Sequence, residues 1–262
     1  MMFSRSVAGR YRPRRCHPRR AAPLSEEGIL SMSVGVLSTA SGSAAVEISG
    51  TKVVVAVRGP HAPSARIDGG SANNASGTAV STSEGDADFE GVLEISAQFA
   101  PFSGVEADNA DGEALTVAAS IRRALVGNVV LRAFPKAAVS IHVLVIQDCG
   151  CAAAAAVTCA SLALADAGVE MYDIVAATCA SVQADGDVIL EPSSRPSCAD
   201  SKSKSTATMY AAKTLARGEL ADFFIKGPLS TQATGETLDK CLHRCDRILA
   251  AMKATLVGSA AG

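Results

Sequence analysis

The residues best placed for chemistry lie where a buried strand is expected to turn into a helix, from Asp148 to Ala156. Gly150 supplies the turn, and Ala152 to Ala156 open the helix without any polar side chain. The first turn of a helix presents unpaired N–H groups and a partial positive charge, which suit a bound phosphate. Such a site usually adds hydroxyls or an arginine, and this segment has neither. The sequence therefore predicts an anion-binding type of helix start that lacks the side chains to hold the anion.

Cysteine and histidine spacing suggests metal binding as a second chemistry. Cys149 and Cys151 flank one glycine, and Cys241, His243 and Cys245 lie close together on an expected helix. No C-x-x-C pair is present, and two or three ligands do not complete the tetrahedral shell of zinc. We interpret these residues as packing residues and expect no metal and no cofactor. With no secretory signal in the sequence, the eight cysteines are expected to be reduced thiols.

Charge is unevenly distributed along the 262 residues. Seven arginines and no acidic residue occur in the first twenty positions, whereas the remainder carries 17 basic and 26 acidic residues. A region this acidic is a poor general binder of nucleic acid, and any contact with nucleic acid should be local. Residues 1–30 are expected to form a basic flexible arm, because their composition cannot bury enough apolar surface. The same residues are also typical of a mitochondrial transit peptide, which remains an alternative.

The 262 residues, 48% of them hydrophobic, could form one large domain or two small ones. The order of the predicted elements gives an α+β or mixed α/β domain over residues 31–262. Alternation predicts two or three strands over 35–58, followed by strands at 93–99, 139–148, 174–182 and 188–190 and a pair around Arg217-Gly218. Helical spacing predicts three helices: one through Leu115, Ala118, Ile121, Ala124 and Leu125, an alanine-rich one ending near Gly168, and one from about Ser230 to Leu256. Segments 60–90 and 192–205 are predicted loops, and Gly42, Gly50 and Gly59 are predicted turn positions with unusual backbone angles. No apolar run reaches the ~20 residues that span a bilayer, so no membrane contact is expected.

Three segments carry a resemblance to a known family. They are LALADAGVEMYD at Leu162–Asp173, the run from Gly35 to Pro60, and APFSG at Ala100–Gly104. Together they resemble the RNase PH family, and within it the non-catalytic ring subunits of the eukaryotic RNA exosome, from about Val34 to about Leu256. The resemblance implies an α+β fold of the RNase PH-like (ribosomal protein S5 domain 2-like) type, a mixed sheet packed with helices.

The resemblance also assigns roles to individual positions. Active members hold phosphate with a Gly-Thr-Arg-Thr stretch, which aligns with Cys151, Ala152, Ala153 and Ala154, so that alanine stands at the arginine position. Their later acidic loop aligns with Glu191 to Cys198, where Glu191 is the single acid and is expected to be a solvated carboxylate. We therefore predict no catalytic residues and a degenerate phosphate site at Gly150, Cys151, Ala152, Ala153 and Ala154. The alternative is a phosphorolytic 3′-to-5′ exoribonuclease, active alone or in a composite site with a neighbouring subunit.

By the same resemblance, the expected partners are other RNase PH-like subunits in a heterohexameric ring, S1/KH-domain cap proteins, and RNA in the central channel. After APFSG, where similar subunits often carry arginines, this chain has Val105 to Asp108, which weakens a role in lining the pore. Arg122 and Arg123 remain the candidates for RNA contact, with ordinary solvated or interface residues as the alternative. The expected location is the nucleus, including the nucleolus, and the cytoplasm, with the mitochondrion as the alternative.

Overall fold

A computed structural model describes residues 30–62, 78–81, 91–105, 107–183, 187–192 and 205–260. Ten strands and three helices lie in these ranges. The strands are β1 Leu30–Val34, β2 Gly42–Ile48, β3 Thr51–His61, β4 Thr78–Ser81, β5 Val92–Phe99, β6 Ala138–Gln147, β7 Val175–Gln183, β8 Val188–Leu190, β9 Ser205–Thr214 and β10 Leu220–Lys226. The helices are α1 Ala107–Val126, α2 Ala152–Asp166 and α3 Thr231–Ala260, and a 3₁₀ turn spans Leu131–Ala133. Residues 1–29 of the predicted arm and most of the two predicted loops lie outside the described residues.

The larger sheet has six strands in the order β1-β2-β3-β6-β5-β4. All its pairs are antiparallel except β5 with β6, which makes the sheet mixed, as predicted. Val53, Val55 and Val57 alternate with more exposed neighbours along β3, so one face of the sheet is apolar and buried. Helices α1 and α2 pack against that face. The strand β4 lies inside the segment predicted as a loop, where it pairs with the edge of β5.

The smaller sheet has four antiparallel strands in the order β10-β9-β7-β8. Its central strand β7 is buried on both faces, because α2 covers one side and α3 covers the other. Ala177 donates its N–H to Thr158 of α2, whereas Ala180 belongs to the apolar cluster that includes Cys241 of α3. The molecule is therefore layered as six-stranded sheet, helix pair, four-stranded sheet, and final helix.

Helix α2 lies between the two sheets, and its small residues permit that close packing. All but three of its fifteen residues are buried. A Cβ added to Gly42 of β2 would lie 2.2 Å from the backbone nitrogen of Ala167 at the end of α2. The expectation that Gly42 needs an unusual backbone angle is therefore wrong, because its requirement is close approach of the helix. Asp166, in the last turn of α2, accepts a hydrogen bond from Ser43 N at 2.9 Å.

Helix α1 corrects one core prediction. Leu115 is 46% exposed, and the neighbouring positions Ala114 and Val117 are buried instead. Ala118, Ile121, Ala124 and Leu125 lie in the core as predicted, and the helix ends at Val126, directly before Gly127-Asn128. Gly50 and Gly59 have the predicted unusual backbone angles, with φ of 89° and 136°, which favours glycine at both positions. Gly50 lies at a turn as predicted, whereas Gly59 lies inside β3, where the pairing with β6 is irregular. Helix α3 runs four residues beyond its predicted end.

Candidate functional site

The turn before α2 is held by backbone and side-chain hydrogen bonds of its own. Gly150 has a φ of 104° and donates its N–H to Asp148 Oδ1 at 2.7 Å. Cys149 donates its backbone N–H to Thr51 Oγ1 at 3.0 Å, and Asp148 donates its backbone N–H to the carbonyl oxygen of Ser103 at 2.9 Å. These hydrogen bonds hold the loop against the end of the six-stranded sheet, and they thereby fix the direction in which α2 begins.

The start of α2 offers an anion nothing beyond backbone groups. Cys151 is the residue before the first turn, and it makes no side-chain capping hydrogen bond. The side chains of Ala152 and Ala154 are 7% and 1% exposed, and only Ala153 is partly open to solvent. A dianion would have only the backbone N–H groups of the first turn, with no hydroxyl or cation in that turn to orient it.

A disulfide joins Cys151 to Cys179 of β7, with 5.9 Å between the two Cα atoms. This pairing corrects the expectation that all cysteines are reduced thiols. Cα atoms at that separation are ordinary for a disulfide, and the 28-residue sequence separation closes a loop that contains all of α2. The bridge anchors the helix start to the second sheet at Cys151, the position that the resemblance equates with the glycine of the phosphate-binding stretch.

Glu191 is buried and paired, which corrects the expectation of a solvated carboxylate. Its side chain is 2% exposed, as is that of Arg244 on α3. The Arg244 guanidinium donates from Nε to Oε1 at 2.9 Å and from Nη2 to Oε2 at 2.6 Å, which is a bidentate pair. Thr178 and Ser49 also donate their hydroxyls to this carboxylate, at 3.3 and 3.4 Å. The charge of the single acid in this segment is thus neutralised within the protein.

The two segments that the resemblance assigns to the active site do lie side by side. Glu191 donates its backbone N–H to the carbonyl of Cys179 at 2.9 Å, and Cys179 is bonded to Cys151 at the helix start. The Glu191 side chain, however, turns to the face of the small sheet that α3 covers. The arrangement brings backbone segments together but directs the carboxylate toward an arginine instead of a substrate.

Arg244, Thr178 and Ser49 were not identified from the sequence. Arg244 lies on α3 between the buried positions Cys241, Cys245 and Ile248. An arginine inside an apolar helical stripe requires a buried acid as its partner, because an unpaired buried charge is costly. That signal points to a partner on another element but does not say which acid it is.

The two candidate RNA-binding arginines on α1 differ in their surroundings. Arg123 donates from Nε to Asp222 Oδ1 of β10 at 3.0 Å and from Nη2 to Ser120 Oγ at 3.3 Å. Arg122 is half-buried and forms no ion pair with any residue that the structure describes. The guanidinium of Arg122 is therefore the more available of the two for a phosphate.

The cysteines of α3 do not form a metal site with the neighbouring histidine. Cys241 and Cys245 are fully buried between α3 and the small sheet, whereas His243 is exposed. Burial, with a smaller contribution from the charge of Glu191, raises the pKa of Cys241 to about 12, so the thiolate that a metal needs is disfavoured. Across the described ranges, no group of three or more potential ligands could hold a metal ion. None of the helices described is long and apolar enough to cross a membrane.

Comparison with known proteins gives consistent results for this chain. The model of the 3′ exoribonuclease family, domain 1 (RNase_PH) matches residues 29–170. The mouse exosome complex component MTR3 is 42% identical over 144 residues, and the match covers 54% of this chain and 50% of MTR3. Exosome complex component Rrp41 from Thermococcus kodakarensis is 33% identical over 164 residues, covering 62% of this chain and 59% of Rrp41.

The chain spans about half the length of the MTR3 proteins that it matches. Among solved structures, rice Rrp46 superposes with a TM-score of 0.67 at 18% identity, covering 88% of this chain and 96% of that one. At that identity the likeness concerns the fold alone, and it confirms the predicted RNase PH-like architecture. The family match ends at residue 170, before both Glu191 and Arg244.

Proposed function

This chain belongs to the RNase PH family, and from that premise we propose that it is a non-catalytic structural subunit of the exosome core ring. It would be of the mRNA-transport-regulator type, in keeping with its likeness to MTR3. Its work would be to support 3′-to-5′ RNA processing and degradation by helping to form the RNA channel and by docking cap proteins. Two observations carry the proposal: the helix that begins after Cys151 has no polar side chain in its first turn, and Glu191 is buried in an ion pair with Arg244.

Phosphorolysis requires that a phosphate dianion and the scissile bond be held in fixed positions. Active members do this with hydroxyls and a guanidinium, and here those positions are Ala152, Ala153 and Ala154. Because Glu191 is bound on both oxygens by Arg244, it is unavailable as a general acid or metal ligand. These features support a chain that has lost the phosphate site and the acidic cluster.

The proposed partners follow from the relatives, which are named as exosome components. We place the chain beside other RNase PH-like subunits in a heterohexameric ring, with S1/KH-domain proteins on one face and RNA in the channel. Arg122 and Arg123 are the proposed RNA contacts. The arm over residues 1–30 carries a separate cluster of basic residues. The proposed location is the nucleus, including the nucleolus, and the cytoplasm.

A phosphorolysis assay tests the loss of activity. The purified chain, alone and co-expressed with each RNase PH-like chain of the same organism, is incubated with labelled single-stranded RNA and inorganic phosphate. We expect no phosphate-dependent release of nucleoside diphosphates above a blank without protein, and an active RNase PH serves as the positive control. Release by a complex would need a second test, in which the partner's own activity is measured without this chain.

Phosphate-dependent release that requires this chain, and that falls when Ala153 is replaced by a bulkier Leu, would support the rival interpretation of a composite active site.

Location is tested separately with a C-terminal fluorescent tag on the full chain and on a chain without residues 1–30. Mitochondrial signal that depends on those residues would favour the alternative of an organellar family member. Assembly is tested by co-purification of the co-expressed chains and the mass of the complex.

A further inference from the structure

We propose that Cys149 is a thiol-exchange site, which opens the buried Cys151–Cys179 bridge and takes a small soluble thiol of the glutathione class. The site goes beyond the proposed function, because it concerns the attachment of α2 to the second sheet and does not depend on assembly of a ring. Three features carry it: the spacing of the three cysteines, the surroundings of the Cys149 sulfur, and the difference in exposure between Cys149 and the bridge.

The three cysteines meet at the start of α2. Cys151 is bonded to Cys179 of β7, whereas Cys149 is a free thiol. Gly150 alone separates Cys149 from Cys151, and its φ of 104° turns the chain between them. Two Cα atoms with one residue between them are at most about 7 Å apart and come closer in a turn, which brings them into the range of a disulfide. A bond between Cys149 and Cys151 therefore needs only a local rearrangement of this turn.

The Cys149 sulfur borders the same group of residues as the bridge. A Cβ added to Gly50, in the turn between β2 and β3, would lie 3.2 Å from Cys149 Sγ, so the sulfur rests against a residue that has no side chain. The neighbouring Ser49 donates its hydroxyl to Glu191, and Glu191 donates its backbone N–H to the carbonyl oxygen of Cys179. The free thiol and the bridge are therefore neighbours in the fold as well as in the sequence.

Exposure decides which of these sulfurs a soluble thiol can reach. Cys151 and Cys179 are 1% and 8% exposed, so the bridge is covered by the protein. Cys149 is partly exposed. Thiol–disulfide exchange requires that a thiolate reach a disulfide sulfur, and a covered bridge exchanges slowly with thiols in solution. Cys149 is the thiol that reaches both the bridge and the solvent.

The other free cysteines in the described part of the chain are unsuited to this exchange. Cys159, Cys241 and Cys245 are fully buried. Burial raises the pKa of all three thiols, and it raises that of Cys241 to about 12. Because the thiolate is the attacking species, these three cysteines stay unreactive and supply controls within the same chain.

The exchange takes two steps, and in both the atoms and electrons balance. Cys149 first gives its proton to solvent, and its thiolate attacks Cys151 Sγ. The Cys149–Cys151 bond forms, the bond to Cys179 breaks, and Cys179 leaves with the electron pair and takes a proton from solvent. The thiolate of glutathione then attacks Cys149 Sγ, which forms a mixed disulfide at Cys149 and releases Cys151 as a thiol. No disulfide then joins the start of α2 to β7.

The rate of bridge opening tests the proposal on the full chain. Oxidised wild type and Cys149→Ser are treated with reduced glutathione, quenched with acid and alkylated, and the peptides of Cys151 and Cys179 are followed by mass spectrometry. We expect the bridge to open about tenfold more slowly in Cys149→Ser. The matched control is Cys159→Ala, which removes a buried thiol and should change the rate by less than about twofold. Equal rates in wild type and Cys149→Ser, or a wild type that forms no bridge, would overturn the inference.

A second variant detects the new bond directly. Cys179→Ser leaves Cys149 and Cys151 as a pair of thiols, and glutathione disulfide should join them into a bond that is identified by the mass of the peptide containing both. If Cys179→Ser does not fold, glutathione bound to the wild type gives the same information, because the mixed disulfide should form first at Cys149. Glutathione found first on Cys151 or Cys179, or no Cys149–Cys151 bond in folded Cys179→Ser, would overturn the inference.

Discussion

Glu191, which the resemblance places in the acidic loop of the family, serves structure through its pair with Arg244. The pair is nearly inaccessible, bidentate and supported by hydroxyls from Thr178 and Ser49. It connects the end of β8 to the middle of α3 and to the turn between β2 and β3. An exposed ion pair is worth at most about 1 kcal/mol, whereas removing one partner of a buried pair costs about 3–5 kcal/mol. Burial therefore makes this contact important for the attachment of α3.

Replacing Arg244 with Ala is expected to lower the free energy of unfolding by about 3–5 kcal/mol, because Glu191 would remain buried without its countercharge. The measurement is urea unfolding followed by circular dichroism. The control is Glu219→Gln, whose carboxylate is 67% exposed and 3.9 Å from Arg217; its loss should cost less than about 1 kcal/mol. The double replacement of Glu191 and Arg244 by Leu should cost less than Arg244→Ala alone, and a larger loss would contradict this account.

The disulfide gives a second residue-level prediction. Without reductant, Cys179→Ala should lower the free energy of unfolding by about 3–4 kcal/mol, because the bridge restricts a 28-residue loop in the unfolded chain. Most of that difference should disappear when wild type and variant are both measured with reductant. Cys159→Ala is the control, since Cys159 is buried as a free thiol and its effect should not depend on reductant. A wild-type stability that reductant leaves unchanged would show that the bridge does not form in solution.

At the level of elements, the strands and helices were largely predictable because most of them carry a regular pattern of apolar residues. Val53, Val55 and Val57 alternate in the sequence as they do in the sheet. Helix α2 was recognisable by its alanines, yet its burial between two sheets was not, because periodicity does not reveal how many sides of a helix are covered. The pairing of Glu191 with Arg244 was missed for a related reason, since the two residues are 53 positions apart.

Gly42 illustrates a constraint that belongs to two elements at once. An added Cβ would lie 2.2 Å from Ala167 N and 2.5 Å from the carbonyl oxygen of Ala163, both backbone atoms that cannot rotate away. Strand β2 and the end of α2 would have to separate, and the hydrogen bond from Ser43 to Asp166 would lengthen with them. The sequence alone shows a glycine beside a strand, which is equally typical of a turn.

Gly42→Ala is therefore expected to destabilise the protein by about 2–3 kcal/mol, in the range of overpacked cores. Gly112→Ala is the matched control, because nothing lies within 4 Å of a Cβ at that exposed position in α1. Alanine there should stabilise the helix by about 0.5–1 kcal/mol. Thermal and urea unfolding of the two variants measure the difference, and similar behaviour of both would rule out the close approach of α2.

For the molecule as a whole, charge limits where RNA can be bound. Beyond the first twenty residues the chain carries 26 acidic and 17 basic residues, so broad electrostatic attraction to RNA is not expected. Contacts must come from individual cations at places set by assembly. Arg123 is engaged by Asp222 near the β10 edge, and its side chain is still 50% exposed. Arg122, one position earlier, has no such tie among the described residues.

In the assembled complex, Arg122→Ala should therefore weaken binding of single-stranded RNA and reduce its salt dependence more than Arg123→Ala does. Loss of one phosphate contact lowers the slope of log affinity against log salt by about 0.7 for a single strand. Fluorescence anisotropy with a labelled RNA over a series of salt concentrations measures that slope for wild type and both variants. Arg123→Ala also removes the ion pair to Asp222, so its complex must first be shown to assemble normally. Unchanged slopes in both variants would mean that α1 faces away from the RNA, and a larger change at Arg123 would mean that binding RNA displaces Asp222.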